Sequence, residues 1–142
     1  MDLSQVIVLA VLAIGIATYV ARSITRRTRA DEEFFVGLVD RLMEVLEPKG
    51  LRYAGPFDPP KAFSYRIATF EGATFVVEAA WDGREREVSL VQRVSRDTGS
   101  VSEQRLAVAH VPDGAVPAVF AHAADVIVAA ASTIGVSNRE HR

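Results

Sequence analysis

An uncharged run of nineteen residues, 3–21, constrains this chain more than any other feature of its sequence. As an α-helix rising about 1.5 Å per residue, the run would be roughly 28 Å long, close to the roughly 30 Å hydrocarbon core of a bilayer. Ten of its residues are strongly apolar, and each favours insertion by about 0.3–0.6 kcal/mol. We therefore expect residues 1–21 to form a single transmembrane anchor.

The flanks of this run predict its orientation. Only Met1 and Asp2 precede it, so the basic segment that opens a cleaved signal peptide is missing. Four arginines follow it within residues 22–30: Arg22, Arg26, Arg27 and Arg29. By the positive-inside rule the amino terminus faces out and the rest of the chain faces the cytoplasm. We expect residues 22–30 to be a basic juxtamembrane linker whose arginines hold anionic lipid headgroups.

Alanines recur on one side of the predicted anchor. Ala10, Ala13, Ala17 and Ala21 share a helix face, and small side chains allow another membrane helix to approach closely. This pattern favours a contact between membrane helices, either in a homo-oligomer or with a partner subunit. The alternative interpretation is that alanine is simply common in this chain.

Length and composition exclude several classes of protein. A chain of 142 residues has room for one modest domain. Because it contains no cysteine, it cannot use a disulfide scaffold, a thiolate metal site or a cysteine nucleophile. Arginine outnumbers lysine fourteen to two, which we interpret as the codon bias of a GC-rich bacterial genome, so the expected location is the bacterial inner membrane.

Residues 31–136 have the pattern of an α+β domain that begins with a helix. Thr28 and Asp31 are spaced as in a capping box, which predicts a helix start there. Apolar residues then recur at spacings of three and four from Phe35 to Leu46, and Pro48 and Gly50 predict the end of this helix.

The middle of the domain alternates with a period of two and predicts antiparallel strands at 51–54, 62–70, 73–81, 86–95 and 104–111. The second of these alternates Phe63, Tyr65 and Ile67 with Ser64, Arg66 and Ala68. Asp82 and Gly83 suit a two-residue hairpin turn.

An apolar helical face follows over 115–134, with Pro117 in its first turn, and residues 137–142 form a polar tail. We therefore predict a single transmembrane helix followed by a small domain of helix, antiparallel β-meander and helix. One face of the sheet should be covered and the other open to a partner.

Charge and motif patterns exclude further functions. Residues 30–142 carry 12 basic and 17 acidic residues, a net charge of 12 − 17 = −5, so nucleic acid is not an expected partner. His122 and Asp125 lie one helical turn apart, but two residues do not make a metal site. No nucleophile elbow, phosphate-binding glycine loop or dinucleotide fingerprint is present. We predict no catalytic residues, no metal and no cofactor.

Three residues are candidate contacts for a protein partner. Phe57 lies in a proline-rich loop that would order it before binding. Arg84 and Arg86 belong to an alternating charge run beside the hairpin turn. In the alternative interpretations Phe57 packs under the sheet and the charge run is a solvated hairpin end that prevents aggregation.

These observations favour a membrane-anchored accessory or adaptor protein whose cytoplasmic domain binds a protein partner or self-associates. The first alternative is a tethered domain that binds a small ligand or lipid in a cavity. A pilin-like exported subunit and an enzyme are the remaining alternatives.

Overall fold

The computed structural model describes residues 2–56 and 65–135, without the side chains of residues 23–27 and Pro56. The chain divides into two compact units, Met1–Glu32 and Glu33–Arg142. Phe57, the first residues of the second predicted strand and the polar tail lie outside the described residues.

The first unit is helical, and its helix does not stop where the sequence predicted. Helix α1 runs without interruption over Leu3–Leu46, so the capping pattern at Thr28 does not begin a separate helix. The local reason is that residues 16–36 contain neither proline nor glycine, while the arginines and alanines around Thr28 are good helix formers. The predicted juxtamembrane linker, residues 22–30, is therefore part of α1.

The end of α1 agrees with the prediction. A single 3-10 turn, Glu47–Lys49, follows Leu46, and Gly50 closes it in the left-handed conformation with φ 86°. Proline at the second position of this turn cannot donate to the helical ladder. The chain then reverses through Leu51 into the sheet, since the Leu51 N–H donates to the carbonyl of Leu46.

The second unit contains a five-stranded antiparallel sheet in which every strand pairs with its sequence neighbours, in the order β1 to β5. The strands are β1 Arg52–Pro56, β2 Arg66–Glu71, β3 Phe75–Asp82, β4 Glu87–Ser95 and β5 Val101–His110. Helix α2, Pro117–Ser132, follows the sheet. The predicted α+β fold with an antiparallel meander between two helical segments is confirmed.

The core lies on one face of this sheet, and both helical segments contribute to it. Helix α1 supplies the apolar positions that the sequence predicted, Phe35, Leu38, Val39, Leu42 and Leu46, all buried. Helix α2 supplies Ala123, Ala124, Ile127 and Ala131. The ring of Phe34 connects the layers, with its centroid 5.5 Å from that of Trp81 on β3 and 5.2 Å from that of Phe120 on α2.

The core face of strand β2 is not the face that carries the larger apolar residues of the predicted alternation. Ala68 and Phe70 are fully buried, while Tyr65 and Ile67 are only partly buried. The register explains this, because Ala68 lies opposite Ala79 and Phe70 opposite Val77, both of which face the core. Phe70 is the bulkiest buried residue of β2, and its position sets the face that the whole strand presents.

The hairpin between β3 and β4 also differs from the predicted two-residue turn. Asp82 still pairs with Glu87, so the loop contains four residues, 83–86. The Asp82 Oδ1 atom accepts hydrogen bonds from the backbone N–H groups of Arg84 and Glu85, at 2.9 and 3.1 Å. Arg86, and not Gly83, takes the left-handed conformation, with φ 56°. The carboxylate of Asp82 thus organises the loop as an Asx-type turn.

Two polar contacts hold α2 in place. The Lys49 Nζ atom donates to the carbonyls of Ser132 and Ile134 at 2.9 and 2.7 Å, which satisfies acceptors left open at the end of α2. Arg41 on α1 pairs with Asp125 on α2 at 2.9 Å. Because α2 buries Ile127 and Ala131 in the core, it belongs to the folded domain, as predicted.

We expect Leu42→Ala to destabilise the domain by about 2–5 kcal/mol, because it empties a fully buried position in the core. The matched control on the same helix is Val36→Ala, whose side chain is 55% exposed and should cost about 0.5 kcal/mol or less. Urea unfolding of the full chain in detergent, followed by the fluorescence of the single tryptophan, Trp81, measures both. Equal costs for the two variants would contradict the one-sided core.

Candidate functional site

The amino-terminal part of α1 is an apolar surface that none of the described residues covers. Over Leu3–Arg22 the mean hydropathy is 2.2 and none of the segment is buried. The large exposed side chains lie on every side of the helix: Leu3, Val6, Ile7, Val8, Leu9, Val11, Leu12, Ile14, Ile16, Tyr19 and Val20. Twenty residues make a helix about 30 Å long. By length and composition this segment could cross a membrane, and signal sequences share the same properties.

Two hydroxyl groups inside this segment have local hydrogen-bond partners. Thr18 donates its hydroxyl hydrogen to the carbonyl of Ile14 at 2.8 Å, and Ser4 donates to the Asp2 carboxylate at 3.0 Å. A hydroxyl bonded to its own helix has a lower cost of transfer into hydrocarbon. These two hydroxyls therefore interrupt the apolar surface less than unpartnered hydroxyls would.

The alanine stripe and the basic flank lie where the sequence placed them along α1. Ala10, Ala13, Ala17 and Ala21 are all exposed, and their contact with another membrane helix stays a prediction. Arg22 and Arg29 are exposed as well. The side chains of Arg26 and Arg27 lie outside the described residues, so the lipid contacts of this flank are predicted from sequence alone.

The two arginines of the β3–β4 hairpin have different environments. Arg84 is exposed at the tip of the loop. From sequence, Arg86 is predicted to be a partner contact or, alternatively, part of a solvated hairpin end, and both interpretations need an exposed side chain, whereas Arg86 is only 6% exposed. Of the two candidate partner contacts at this hairpin, Arg84 is the one whose side chain is presented to solvent.

Arg86 ties the start of β4 to the end of β5. Its Nε atom donates to the carbonyl of Val111 at 3.1 Å and lies 3.3 Å from a carboxylate oxygen of Asp113. The N–H of Val111 donates in return to the Arg86 carbonyl at 2.8 Å. The guanidinium also lies 4.9 Å from the ring centroid of Trp81, within the range of a cation–π contact. These interactions fix the loop that leads from the sheet into α2.

The face of the sheet opposite the core carries a row of charges across three strands. Arg93 on β4 donates to Glu78 on β3 at 2.7 Å and to Glu103 on β5 at 3.3 Å. Glu78 beside it raises the pKa of Arg93 above its usual value, so the guanidinium stays charged. A weaker pair, 3.8 Å long, joins Arg105 on β5 to Glu87 on β4. This charged face is the second candidate functional surface.

Sequence reasoning did not find this charge row. Glu78 and Arg93 are fifteen residues apart, and neither belongs to a motif. Their contact depends on the register of β3 against β4, in which Glu78 lies opposite Val91 and Arg93 opposite Val76. The alternation of apolar residues along both strands indicates that Glu78 and Arg93 lie on the non-core face, but it does not predict that they pair.

The other titratable residues do not assemble into a site within the described part of the chain. Asp125 pairs with Arg41 at 2.9 Å, and His122 is exposed on α2. No group of three or more histidine, aspartate or glutamate side chains converges as a metal site would require among the residues that the structure describes. Within the described residues, the apolar helix and the charged sheet face are the candidate functional surfaces.

We expect Arg86→Ala to destabilise the domain by about 2–3 kcal/mol, because it removes a charge-assisted hydrogen bond to the buried end of β5. Arg86→Gly loses the same contacts but relieves the positive φ, so it should be more stable than the alanine variant by about 1 kcal/mol. Arg84→Ala is the control and should change the stability by about 0.5 kcal/mol or less. Urea unfolding measures all three, and an alanine variant as stable as the Arg84 control would refute this structural role.

No family model matches this chain, and neither a curated protein nor a solved structure matches it.

Proposed function

We propose that this protein is a single-pass membrane-anchored accessory or adaptor protein whose α+β domain binds another protein. The observation that carries the proposal is the wholly exposed apolar helix Leu3–Arg22 in the same chain as a folded domain. In water these side chains would form a large apolar patch, which soluble monomers avoid. A lipid bilayer removes that cost, because an α-helix satisfies its own backbone hydrogen bonds there.

The flanking charges support an orientation. No lysine or arginine precedes the apolar segment and four arginines follow it by Arg29. The positive-inside rule then favours an outward amino terminus and a cytoplasmic domain. Together with the arginine-rich composition of a GC-rich genome, this supports the bacterial inner membrane as the location.

The binding role is supported by the one-sided packing of the domain. Its helices cover one face of the sheet, while the opposite face presents a charge row that includes Arg93 and the exposed Glu103. A domain held at a membrane meets its partners in two dimensions, so its effective concentration is high and a modest interface is sufficient. A binding role of this kind requires no catalytic residue.

The anchor can be tested with charges placed at its centre. We expect Leu9→Arg combined with Leu12→Arg to release the chain from membranes, since each arginine costs about 2.5–3.5 kcal/mol at a helix centre. The control, Val36→Arg with Val116→Arg, adds the same charge at exposed positions of the domain and should leave the chain in the membrane fraction. Alkaline carbonate extraction separates the two results, and release of the unmodified chain would contradict the anchor.

The orientation can be tested with single cysteines, because the chain has none of its own. Ala129→Cys lies at an exposed position of α2 and Asp2→Cys at the amino terminus. With a membrane-impermeant maleimide on spheroplasts, we expect the Asp2 variant to react directly and the Ala129 variant to react only after permeabilisation. Direct reaction of the Ala129 variant would instead place the domain outside, as in an exported subunit.

A further inference from the structure

Strand β5 is an open edge of the sheet. It is the last strand in the order β1 to β5 and, at ten residues, the longest. It pairs with β4 on one side, and no described strand pairs with it on the other. An edge strand presents unpaired N–H and C=O groups, which are a template for another strand.

The charges of β5 are complementary to themselves in an antiparallel arrangement. Glu103 and Arg105 are two residues apart, so both side chains lie on the non-core face of the sheet, and they are 58% and 62% exposed. When two copies of this strand pair antiparallel with Gln104 facing Gln104, Glu103 of each copy lies opposite Arg105 of the other. Two ion pairs then form across the edge, each between Glu103 of one copy and Arg105 of the other.

We propose that a second copy of this chain pairs with β5 edge to edge, in the antiparallel register centred on Gln104. This inference deepens the proposed function and rests on its protein-binding half, because it names the partner and the surface. The pairing extends the charge row from each chain into the other: Glu78, Arg93 and Glu103 of one copy are followed by Arg105 of the second. Charges alternate in sign along this row.

A bulge sets the length of the paired segment. The register of β4 with β5 shifts between Leu90 and Val91, which leaves Leu106 as the extra residue of β5. Since a bulge interrupts pairing, the segment that can pair ends before Leu106, and the register centred on Gln104 then limits it to residues 103–105. A contact of this size is weak in solution, and confinement of both chains to one membrane raises its occupancy.

The register is tested by single cysteines in the otherwise cysteine-free full chain. In the centred register Gln104 faces itself, and facing residues of antiparallel strands have Cα atoms about 4.5–5.5 Å apart, within disulfide range. The two copies of Ser102 would be four residues out of register, or about 13 Å apart. In oxidised native membranes we expect Gln104→Cys to form a cross-linked dimer and Ser102→Cys, the matched control, to remain monomeric.

The charges are tested by complementation between two differently tagged copies. R105E leaves carboxylates at both positions of the pair, and E103R leaves guanidinium groups at both, so each variant repels a copy of itself. In the Gln104→Cys background we expect each to lose at least about tenfold in cross-linked dimer when expressed alone, because like charges then face each other. Coexpression should restore the cross-link, exclusively between differently tagged chains.

The inference is overturned if Gln104→Cys and Ser102→Cys cross-link equally, if neither does, or if coexpression fails to restore dimers. Trp81 fluorescence of each purified variant verifies that the domain remains folded. These outcomes are separable from failure of the proposed function. If the chain stays in membranes and co-purifies with a different protein but does not cross-link through Gln104→Cys, the adaptor role is retained and the self-pairing is wrong. If the chain cross-links but is found in the soluble fraction, the self-pairing is retained and the membrane-anchored role is wrong.

Discussion

The first constraint on this molecule is that the amino-terminal half of α1 is apolar on all sides and is not buried by any part of the chain that the structure describes. An amphipathic helix hides one stripe in a core, but Leu3–Arg22 has no polar side to present to water and none of it is buried. By length and composition such a segment could cross a membrane. The proposed membrane location and the proposed advantage of a weak interface rest on this segment, and the proposed orientation rests on the arginines that follow it.

The second unit differs from the apolar helix, because it buries its apolar side chains in a small core and folds in water. Both helical segments pack on one face of the sheet, and the aromatic contacts of Phe34 join them to Trp81. Arg86 is buried, its side chain holds the turn into α2, and its backbone adopts the left-handed conformation. Because all of this packing lies on one side, no described helix covers the charged face, and this face and the β5 edge are the surfaces that we propose for binding.

Periodicity in the sequence predicted the elements well and their details less well. The three-and-four spacing from Phe35 to Leu46 and the alternation along β3 and β4 are local signals, and the structure confirms them. The core face of β2, the hairpin loop and the burial of Arg86 depend on strand register and tertiary contacts, which a local pattern does not contain. The Glu78–Arg93–Glu103 row is missed for the same reason, since register brings its members together. The helix start predicted at Thr28 is wrong, because an N-cap residue must follow a non-helical segment and the residues before Thr28 already belong to α1.

The most direct test of the account is the intact mass of the protein after extraction from native membranes. An anchored chain keeps residues 1–21 and is recovered from the membrane fraction with the mass of all 142 residues. A soluble chain that begins beyond Ala21 would contradict the account, because the apolar helix would then have been a removed signal sequence.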